Sequence, residues 1–176
     1  MAQLLGVYAS TIQGGADWSA GTIPVEVTNP FEYWPDLQDL NFPSPMPFYI
    51  ETPQYLWCVP EADPNRFVQQ TFIRTIKGSH HTAFNSAGIP AGDYRMNIIH
   101  AADDLYVLNI FAGNELVYPS PVQNDLTHPA WRNVKSFEFE FSLKPKETLQ
   151  IQSIVTNLAP GAYNPAMFTW LAKLYI

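Results

Sequence analysis

The sequence predicts an all-β fold in which antiparallel strands form a sandwich, and two patterns carry this prediction. The first is the alternation of apolar and polar residues, clearest in Ser136–Leu143, where every second residue is a phenylalanine or a leucine. A period of two gives a strand one dry face and one wet face. The second is the frequency of turn-forming residues between such stretches. No repeat, heptad or low-complexity tract is present, so one domain over residues 1–176 is expected.

Composition narrows the class of protein. The chain has 176 residues, of which 47% are hydrophobic, 14% aromatic and 14% charged, and its net charge is −7. Nucleic-acid binding needs clustered lysines and arginines, so no nucleic-acid partner is expected. No window approaches about 18 apolar residues and the N-terminus lacks a signal pattern, so neither a membrane segment nor export is expected. Low charge with many aromatic residues is typical of subunit interfaces and indicates a homo-oligomer.

Residues 1–64 are predicted to form an N-terminal strand and an irregular proline-rich arm, and residues 65–176 the sandwich core. Proline lacks a backbone donor, which excludes long helices and central strands from the arm. Two short strands, Val25–Val27 and Tyr55–Val59, are expected within it. Its many aromatic residues favour burial, either on the domain's own core or on another subunit. The arm holds nine of the sixteen prolines: Pro24, Pro30, Pro35, Pro43, Pro45, Pro47, Pro53, Pro60 and Pro64.

The remaining chain reads as strands separated by loops. The acidic stretch Ala102-Asp103-Asp104 separates two strands that are interpreted as a hairpin unit. A tight turn at Ala112-Gly113-Asn114 and a third short strand follow. A phase slip at Ser153-Ile154 predicts a β-bulge. The longer strands are predicted at Phe67–Ile76, Tyr94–Ala101, Leu105–Phe111, Ser136–Leu143, Thr148–Val155 and Met167–Ile176.

Three residue patterns occur in order over residues 54–176. They are Gln54-Tyr55-Leu56-Trp57 before a strand ending in Phe72-Ile73-Arg74; Gly92-Asp93-Tyr94 leading through Ala102-Asp103-Asp104 to Tyr106-Val107-Leu108-Asn109; and Leu149–Val155, Asn157, Asn164-Pro165-Ala166 and Phe168–Tyr175. Together they resemble the galactose-binding-like jelly-roll domains, which are found beside glycosidase modules and in adhesins and bacteriophage virion proteins. The resemblance implies an antiparallel jelly-roll β-sandwich. Asn109 is followed by Ile110 where the family has glycine, so the resemblance implies fold more than sugar binding.

The adjacent carboxylates Asp103 and Asp104 are the first candidates for chemistry. A general acid/base pair needs two carboxylates that face one cavity. Neighbouring residues of a strand point to opposite faces, so this pair is not expected to be catalytic. The interpretation is that Asp103 bonds turn amides. The alternative is a structural Ca²⁺, which prefers oxygen ligands of this kind.

The histidines and the single cysteine do not form a recognisable catalytic or metal site. His80 and His81 are adjacent in a loop, which is poor spacing for a shared metal ion. His100 lies on the same strand face as apolar residues and is predicted to be a core or rim histidine. Cys58 lies in an apolar run and is predicted to be a buried, inert thiol. Since no catalytic motif is present either, the chain is predicted to be non-enzymatic and to use no cofactor.

Loop aromatic residues are the remaining functional candidates. A sugar-binding jelly roll would offer an aromatic platform beside polar side chains, a composition found in the loop from 124 to 133. Tryptophan and arginine are equally typical of protein–protein contacts. The structural alternative is a tryptophan folded back onto its own sheet. The candidates for partner or glycan binding are Trp18, Phe31, Tyr33, Trp34, His128, Trp131 and Arg132.

These observations favour a non-enzymatic bacteriophage virion protein, an accessory or decoration subunit of capsid or tail. It would be located in the virion and bind other virion subunits and itself. The absence of an export signal, the low charge and the aromatic, proline-rich arm support this expectation. Many weak copies could bind a lattice by burying such an arm. The alternative is a carbohydrate-binding module or a receptor-binding domain with a surface glycan as partner.

Overall fold

The computed structural model of the protein describes residues 3–13, 16–30, 34–35, 51–60, 68–76, 89–103, 105–119, 134–157 and 166–176. These residues form no helix, and therefore none long and apolar enough to cross a membrane. The strands are β1 (Leu4–Ala9), β2 (Asp17–Gly21), β3 (Val25–Glu26), β4 (Leu56–Trp57), β5 (Val68–Ile76), β6 (Gly92–Asp103), β7 (Leu105–Ala112), β8 (Glu115–Pro119), β9 (Lys135–Leu143), β10 (Leu149–Asn157) and β11 (Met167–Tyr175).

The strands form two antiparallel sheets packed as a sandwich. The first sheet has the order β3-β4-β11-β6-β9. β1 also belongs to this sheet and pairs with the same edge of β11 as β4 does. The second sheet has the order β2-β5-β10-β7-β8. Every pairing between the described strands is antiparallel. The predicted all-β, antiparallel sandwich is therefore confirmed, whereas most of the predicted proline-rich arm lies outside the described residues.

The predicted hairpin between the strands on either side of the acidic stretch is wrong. β6 continues through Asp103 and pairs with β9 and β11 of the first sheet. β7 begins at Leu105 and pairs with β8 and β10 of the second sheet. Alternation looks the same in either sheet, so the pattern could not show that the chain crosses the sandwich here. The hairpin of β7 and β8 around Gly113-Asn114 is confirmed.

The sandwich interior is filled by the dry faces of both sheets. On β11 the inner residues Phe168, Trp170, Ala172 and Leu174 are fully buried, which confirms the predicted strand and its dry face. Aromatic rings join the sheets, with Phe72 of β5 lying 4.3 Å from Phe168 between ring centroids. Burying a side chain of this kind contributes about 1.5–3 kcal/mol. Only the predicted last inner residue, Ile176, differs, because it lies beyond the strand end and is 51% exposed.

The predicted bulge at Ser153-Ile154 is also wrong. β10 pairs in unbroken register with β5 from Leu149 to Asn157, and with β7 from Leu149 to Thr156. Its inner face alternates regularly and includes Ser153, which is 1% exposed. The phase slip in the sequence is therefore a polar residue at an inward position, not an extra residue in the strand.

The short strands in the N-terminal part are confirmed in slightly smaller form. β3 covers Val25–Glu26 and β4 covers Leu56–Trp57, and these two strands pair with each other. β3 is the outermost described strand of the first sheet on the side opposite β9, and β4 lies between β3 and β11. The place of β3, which follows Pro24, agrees with the restriction of proline-rich segments to sheet edges.

Candidate functional site

The outer face of the first sheet carries a groove of about 520 Å³ near the start of β6. Inward residues of β6 such as Tyr94 and Met96 alternate with residues that face solvent, and the same alternation runs along β9. The register joins Asp93 to Ser142 and Arg95 to Glu140, which brings four polar side chains together on one face. We call this cavity the outer-face groove; its lining residues are Asp93, Tyr94, Arg95, Glu140, Phe141, Ser142 and Ile176.

Arg95 is the unusual residue of the groove. It is half-buried, and its guanidinium lies 4.8 Å from the ring centroid of Tyr175, the cross-strand neighbour on β11. In the described part of the chain it forms no ion pair, and its buried Nε has no hydrogen-bond partner. A cation over an aromatic face is stabilised by the ring quadrupole, by about 0.5–1 kcal/mol at exposed sites. The stacking therefore orients the guanidinium, while its Nε has no hydrogen-bond partner among the described residues.

Hydrogen-bond acceptors lie near this cation on its own strand and on the neighbouring strand β9. Asp93 is exposed and its Oδ1 accepts a hydrogen bond from Ser142 Oγ at 2.6 Å. Glu140 is exposed and lies directly across the strands from Arg95. Ile176 adds an exposed apolar side chain at the rim. The groove thus offers a planar donor, two carboxylate acceptors and apolar surface within one cavity.

Tyr94 supports the groove from the inner side of β6. Its hydroxyl donates to the carbonyl of Pro90 at 2.5 Å, and its ring stacks on Phe141 with centroids 5.7 Å apart. Burial raises the pKa of the Tyr94 hydroxyl above its usual value. These contacts hold the strand ends beneath the groove in place.

Asp103 and Trp34, both predicted as candidates, meet in the structure. Asp103 is 2% exposed, and its Oδ2 accepts a hydrogen bond from Trp34 Nε1 at 3.2 Å. Trp34 is 5% exposed and packs against Tyr55 with ring centroids 5.4 Å apart. Asp103 is the last residue of β6 rather than part of a turn, and Asp104 lies outside the described residues. The contact favours a structural role for both, and the Ca²⁺ alternative stays a prediction.

Trp18 was predicted to lie in a loop, and this placement is wrong. It is part of β2, it is 6% exposed, and its Nε1 donates to the carbonyl of Thr11 at 2.9 Å. Its ring contacts Phe168 edge to face in the core. Its burial favours the alternative of a tryptophan folded back onto its own sheet. The other binding candidates, Phe31, Tyr33, His128, Trp131 and Arg132, lie outside the described residues.

The histidine and cysteine predictions have different outcomes. His100 is fully buried, which confirms a core histidine, and burial lowers its pKa to about 3. Cys58 packs against the core but is only half-buried, so it is less buried than predicted. The pair His80-His81 lies outside the described residues. Among those that are described, no three His, Cys, Asp or Glu side chains come together in a group that could hold a metal ion.

The residues of the outer-face groove were not among the predicted candidates. Asp93 and Arg95 stand on the wet face of one predicted strand and Glu140 on the wet face of another. Their positions in the alternating pattern predicted that they face solvent, as charged residues usually do. Only the pairing of β6 with β9, more than thirty residues later in the chain, brings them together.

Among the comparisons with known proteins, only the search of solved structures finds matches. No protein-family model matches the chain, and no curated protein gives a significant match. Similar solved structures include a family 35 carbohydrate-binding module from Clostridium thermocellum, with 12% identity, a TM-score of 0.33, and 67% of this chain and 76% of that chain covered.

Two enzymes are also similar to this chain, over a small part of their own length. An isomalto-dextranase from Arthrobacter globiformis T6, complexed with panose, has 13% identity and a TM-score of 0.30, with 68% of this chain and 18% of that chain covered. A β-glucosidase from Kluyveromyces marxianus in complex with glucose has 12% identity and a TM-score of 0.33, with 77% of this chain and 15% of that chain covered. At these scores no residue, ligand or activity is carried over, and the fold class rests on the chain's own two sheets.

Proposed function

We propose that this chain is a non-catalytic carbohydrate-binding domain that takes a saccharide in the outer-face groove. One observation carries the proposal: Arg95 is held on the ring of Tyr175, has no ion pair among the described residues, and stands beside the exposed acceptors Asp93 and Glu140. A cavity with a few convergent polar groups is the usual form of a small-molecule site. This combination distinguishes the groove from an ordinary solvated strand face.

The chemistry of the groove fits the chemistry of a sugar. Each sugar hydroxyl donates one hydrogen bond and accepts others, so it needs both donors and acceptors nearby. The planar guanidinium of Arg95 can donate to two neighbouring oxygens at once. The carboxylates of Asp93 and Glu140 can accept from adjacent hydroxyls. The exposed side chain of Ile176 can cover part of the apolar face of a ring.

The charge balance of the groove favours a neutral saccharide. Two carboxylates, Asp93 and Glu140, flank the single guanidinium of Arg95. An acidic sugar would gain from the arginine but would approach two like charges, in a chain whose net charge is −7. A neutral hexose chain meets no such repulsion.

We infer binding rather than hydrolysis from the openness of the site. Asp93 and Glu140 are both exposed on a strand face. A glycosidase pair must face the scissile bond from both sides, in a site that excludes bulk water. The groove gives acceptors for hydroxyl groups without such an enclosure.

The proposal is tested by binding of neutral oligosaccharides, first on an array and then by calorimetry. Arg95→Ala and Glu140→Gln should each weaken binding about tenfold or more, because a hydrogen bond to a charged group contributes about 1.5–3 kcal/mol. Glu26→Gln is the matched control, since this exposed carboxylate lies on β3 at the opposite edge of the same sheet. It should leave both affinity and melting temperature unchanged.

Two results would overturn the proposal. A wild-type protein that binds no neutral glycan on a broad array removes the binding function. If the wild type cleaves a bound oligosaccharide and Glu140→Gln does not, the domain is an enzyme and the claim that it is non-catalytic is wrong. The virion role stays a prediction that no contact described above supports, because the arm on which it depends lies largely outside the described residues.

A further inference from the structure

β9 is the outermost strand of the first sheet on the side away from β3. It pairs with β6 in unbroken register from Lys135 to Leu143, and no strand in the described part of the chain pairs with its other edge. The described edge strands elsewhere are shorter, and β1, β2 and β8 each carry a register shift. Short length and bulges are devices that protect an edge from pairing, and β9 has neither.

The side chains near this edge are not fully covered. Phe137 and Phe139 point to the inner face of the sheet, yet both are only half-buried. Tyr118 of β8 stacks on Phe139 with ring centroids 4.7 Å apart and closes part of the open side of the sandwich. Leu116, also on β8, is 45% exposed. A long regular edge beside partly exposed aromatic rings is a template for another strand.

We propose that a second copy of this chain pairs with β9 through its own β9, antiparallel, about a two-fold axis at Phe141. In this register Phe139 faces Leu143 of the second copy, and Glu140 faces its Ser142. Glu138 then faces Lys144, the exposed residue that directly follows β9. The two-fold axis repeats each pair, so the dimer contains two pairs of opposite charge. Directly opposed charges of this kind stabilise a strand pair.

Competing registers of the same two strands are less favourable. Centring the axis on Ser142 pairs Glu140 with Lys144, but only Phe141, Ser142 and Leu143 of β9 then lie opposite strand residues. Centring the axis on Glu138, Phe139 or Glu140 brings glutamates directly opposite one another, and like charges in that position destabilise the pairing. Centring it on Phe137 places Lys135 opposite Phe139 on the inner face. The axis at Phe141 combines opposite charges on the wet face with apolar pairs on the dry face over seven residues.

Such a dimer would also join the two grooves. Glu140 and Ser142 line the outer-face groove and stand opposite each other across the proposed axis. The two grooves would therefore lie side by side on one continuous sheet, where two sites can engage one chain and gain avidity. The dimer rests on the strand edge alone and stands whether or not a saccharide binds.

The experiment is a charge swap on the full chain, read by light scattering and sedimentation from about 1 µM to about 1 mM. Wild type should show a concentration-dependent dimer. Glu138→Lys and Lys144→Glu should each weaken it about tenfold, because two attractive pairs become repulsive. The double variant should restore wild-type association. Glu26→Lys on β3 makes the same charge change at the opposite edge and should have no effect.

Circular dichroism and melting temperature separate loss of the dimer from loss of the fold, because both swapped residues are exposed. A wild type that stays monomeric over the whole range overturns the proposal. Failure of the double variant to restore the dimer also overturns it. Rescue of Lys144→Glu by Glu140→Lys instead of Glu138→Lys overturns the axis at Phe141.

Discussion

At the scale of single residues, the most informative feature is a polar pair inside the sandwich. His100 of β6 is fully buried, and its Nε2 lies 3.1 Å from Ser153 Oγ of β10 in the other sheet. Its ring stacks on Tyr106 with centroids 4.1 Å apart. Ser153 thus occupies an inward position because it has a hydrogen-bonding partner there. The apparent irregularity of the strand pattern is a buried hydrogen bond between the sheets.

The burial of His100 predicts a loss of stability in acid. Its pKa is about 3 in the folded chain and 6.5 when exposed, because burial disfavours the charged ring. Between these values the unfolded chain takes up a proton that the folded chain does not. Stability should therefore fall as pH decreases from about 6.5 towards 3, by roughly 1.4 kcal/mol per pH unit. Chemical denaturation at several pH values measures this slope.

His100→Gln isolates this contribution from that of the carboxylates, which also titrate in acid. The variant loses the stacked ring, so it is expected to be less stable at pH 7. Its stability should nevertheless depend less steeply on pH between 4 and 6.5 than that of the wild type. Parallel slopes in the two proteins would contradict the assignment to His100.

At the scale of an element, β2 depends on one glycine for its place beside β5. Gly21 ends β2 with φ of 72°, a left-handed conformation that favours glycine. A Cβ at this position would lie 2.5 Å from the carbonyl oxygen of Thr71. The same oxygen accepts a hydrogen bond from the backbone N–H of Thr22 at 2.7 Å. The end of this edge strand therefore has no room for a side chain.

Gly21→Ala is expected to lower the free energy of unfolding by about 2 kcal/mol or more, through backbone strain and the clash with Thr71. Gly92→Ala is the matched control, since Gly92 also lies on a strand but a Cβ there would make only ordinary contacts from 3.8 Å. It should be neutral or slightly stabilising, because alanine reduces the entropy of the unfolded chain. Urea denaturation of both variants measures the two changes in the free energy of unfolding. Equal changes would contradict the role given to Gly21.

At the scale of the whole molecule, an ion pair inside the sandwich ties three segments together. Arg74 of β5 is 4% exposed and points inward between Phe72 and Ile76. Its guanidinium bonds both carboxylate oxygens of Glu51 and the carbonyl of Ala9. Glu51 Oε2 in turn accepts from the backbone N–H of Ala9 at 2.8 Å. Through these contacts the second sheet holds β1 of the first sheet and the segment that precedes β4.

Removing one partner of this ion pair is expected to lower the free energy of unfolding substantially. Arg74→Met leaves the carboxylate of Glu51 buried without its cation, which destabilises by about 3 kcal/mol or more. The double variant Arg74→Met/Glu51→Gln should be more stable than Arg74→Met alone, because glutamine removes the charge and keeps an acceptor for Ala9 N–H. Thermal and urea unfolding of the single and double variants test this. Additive losses would show that the two residues do not act as a pair.

The sequence predicted the strands well because alternation is a local property. The dry faces of β9 and β11 and the turn at Gly113-Asn114 follow from residues within a few positions of one another. The pattern could not show that β6 and β7 lie in different sheets, since both alternate in the same way. It misplaced Trp18 as well, because a run of small residues is typical of a loop and β2 is held by β5, about fifty residues later.

The sequence by itself determined where most strands lie and which of their faces is dry, because side-chain alternation is set by the backbone of each strand. The tertiary structure decided which strands pair, why Ser153 and Arg74 point inward, and that Arg95 meets Tyr175 and Glu140 in one groove. Backbone hydrogen bonds between strands carry no sequence information of their own, so partners are chosen by the sum of contacts between residues far apart in the chain. The candidate site consists of such distant contacts.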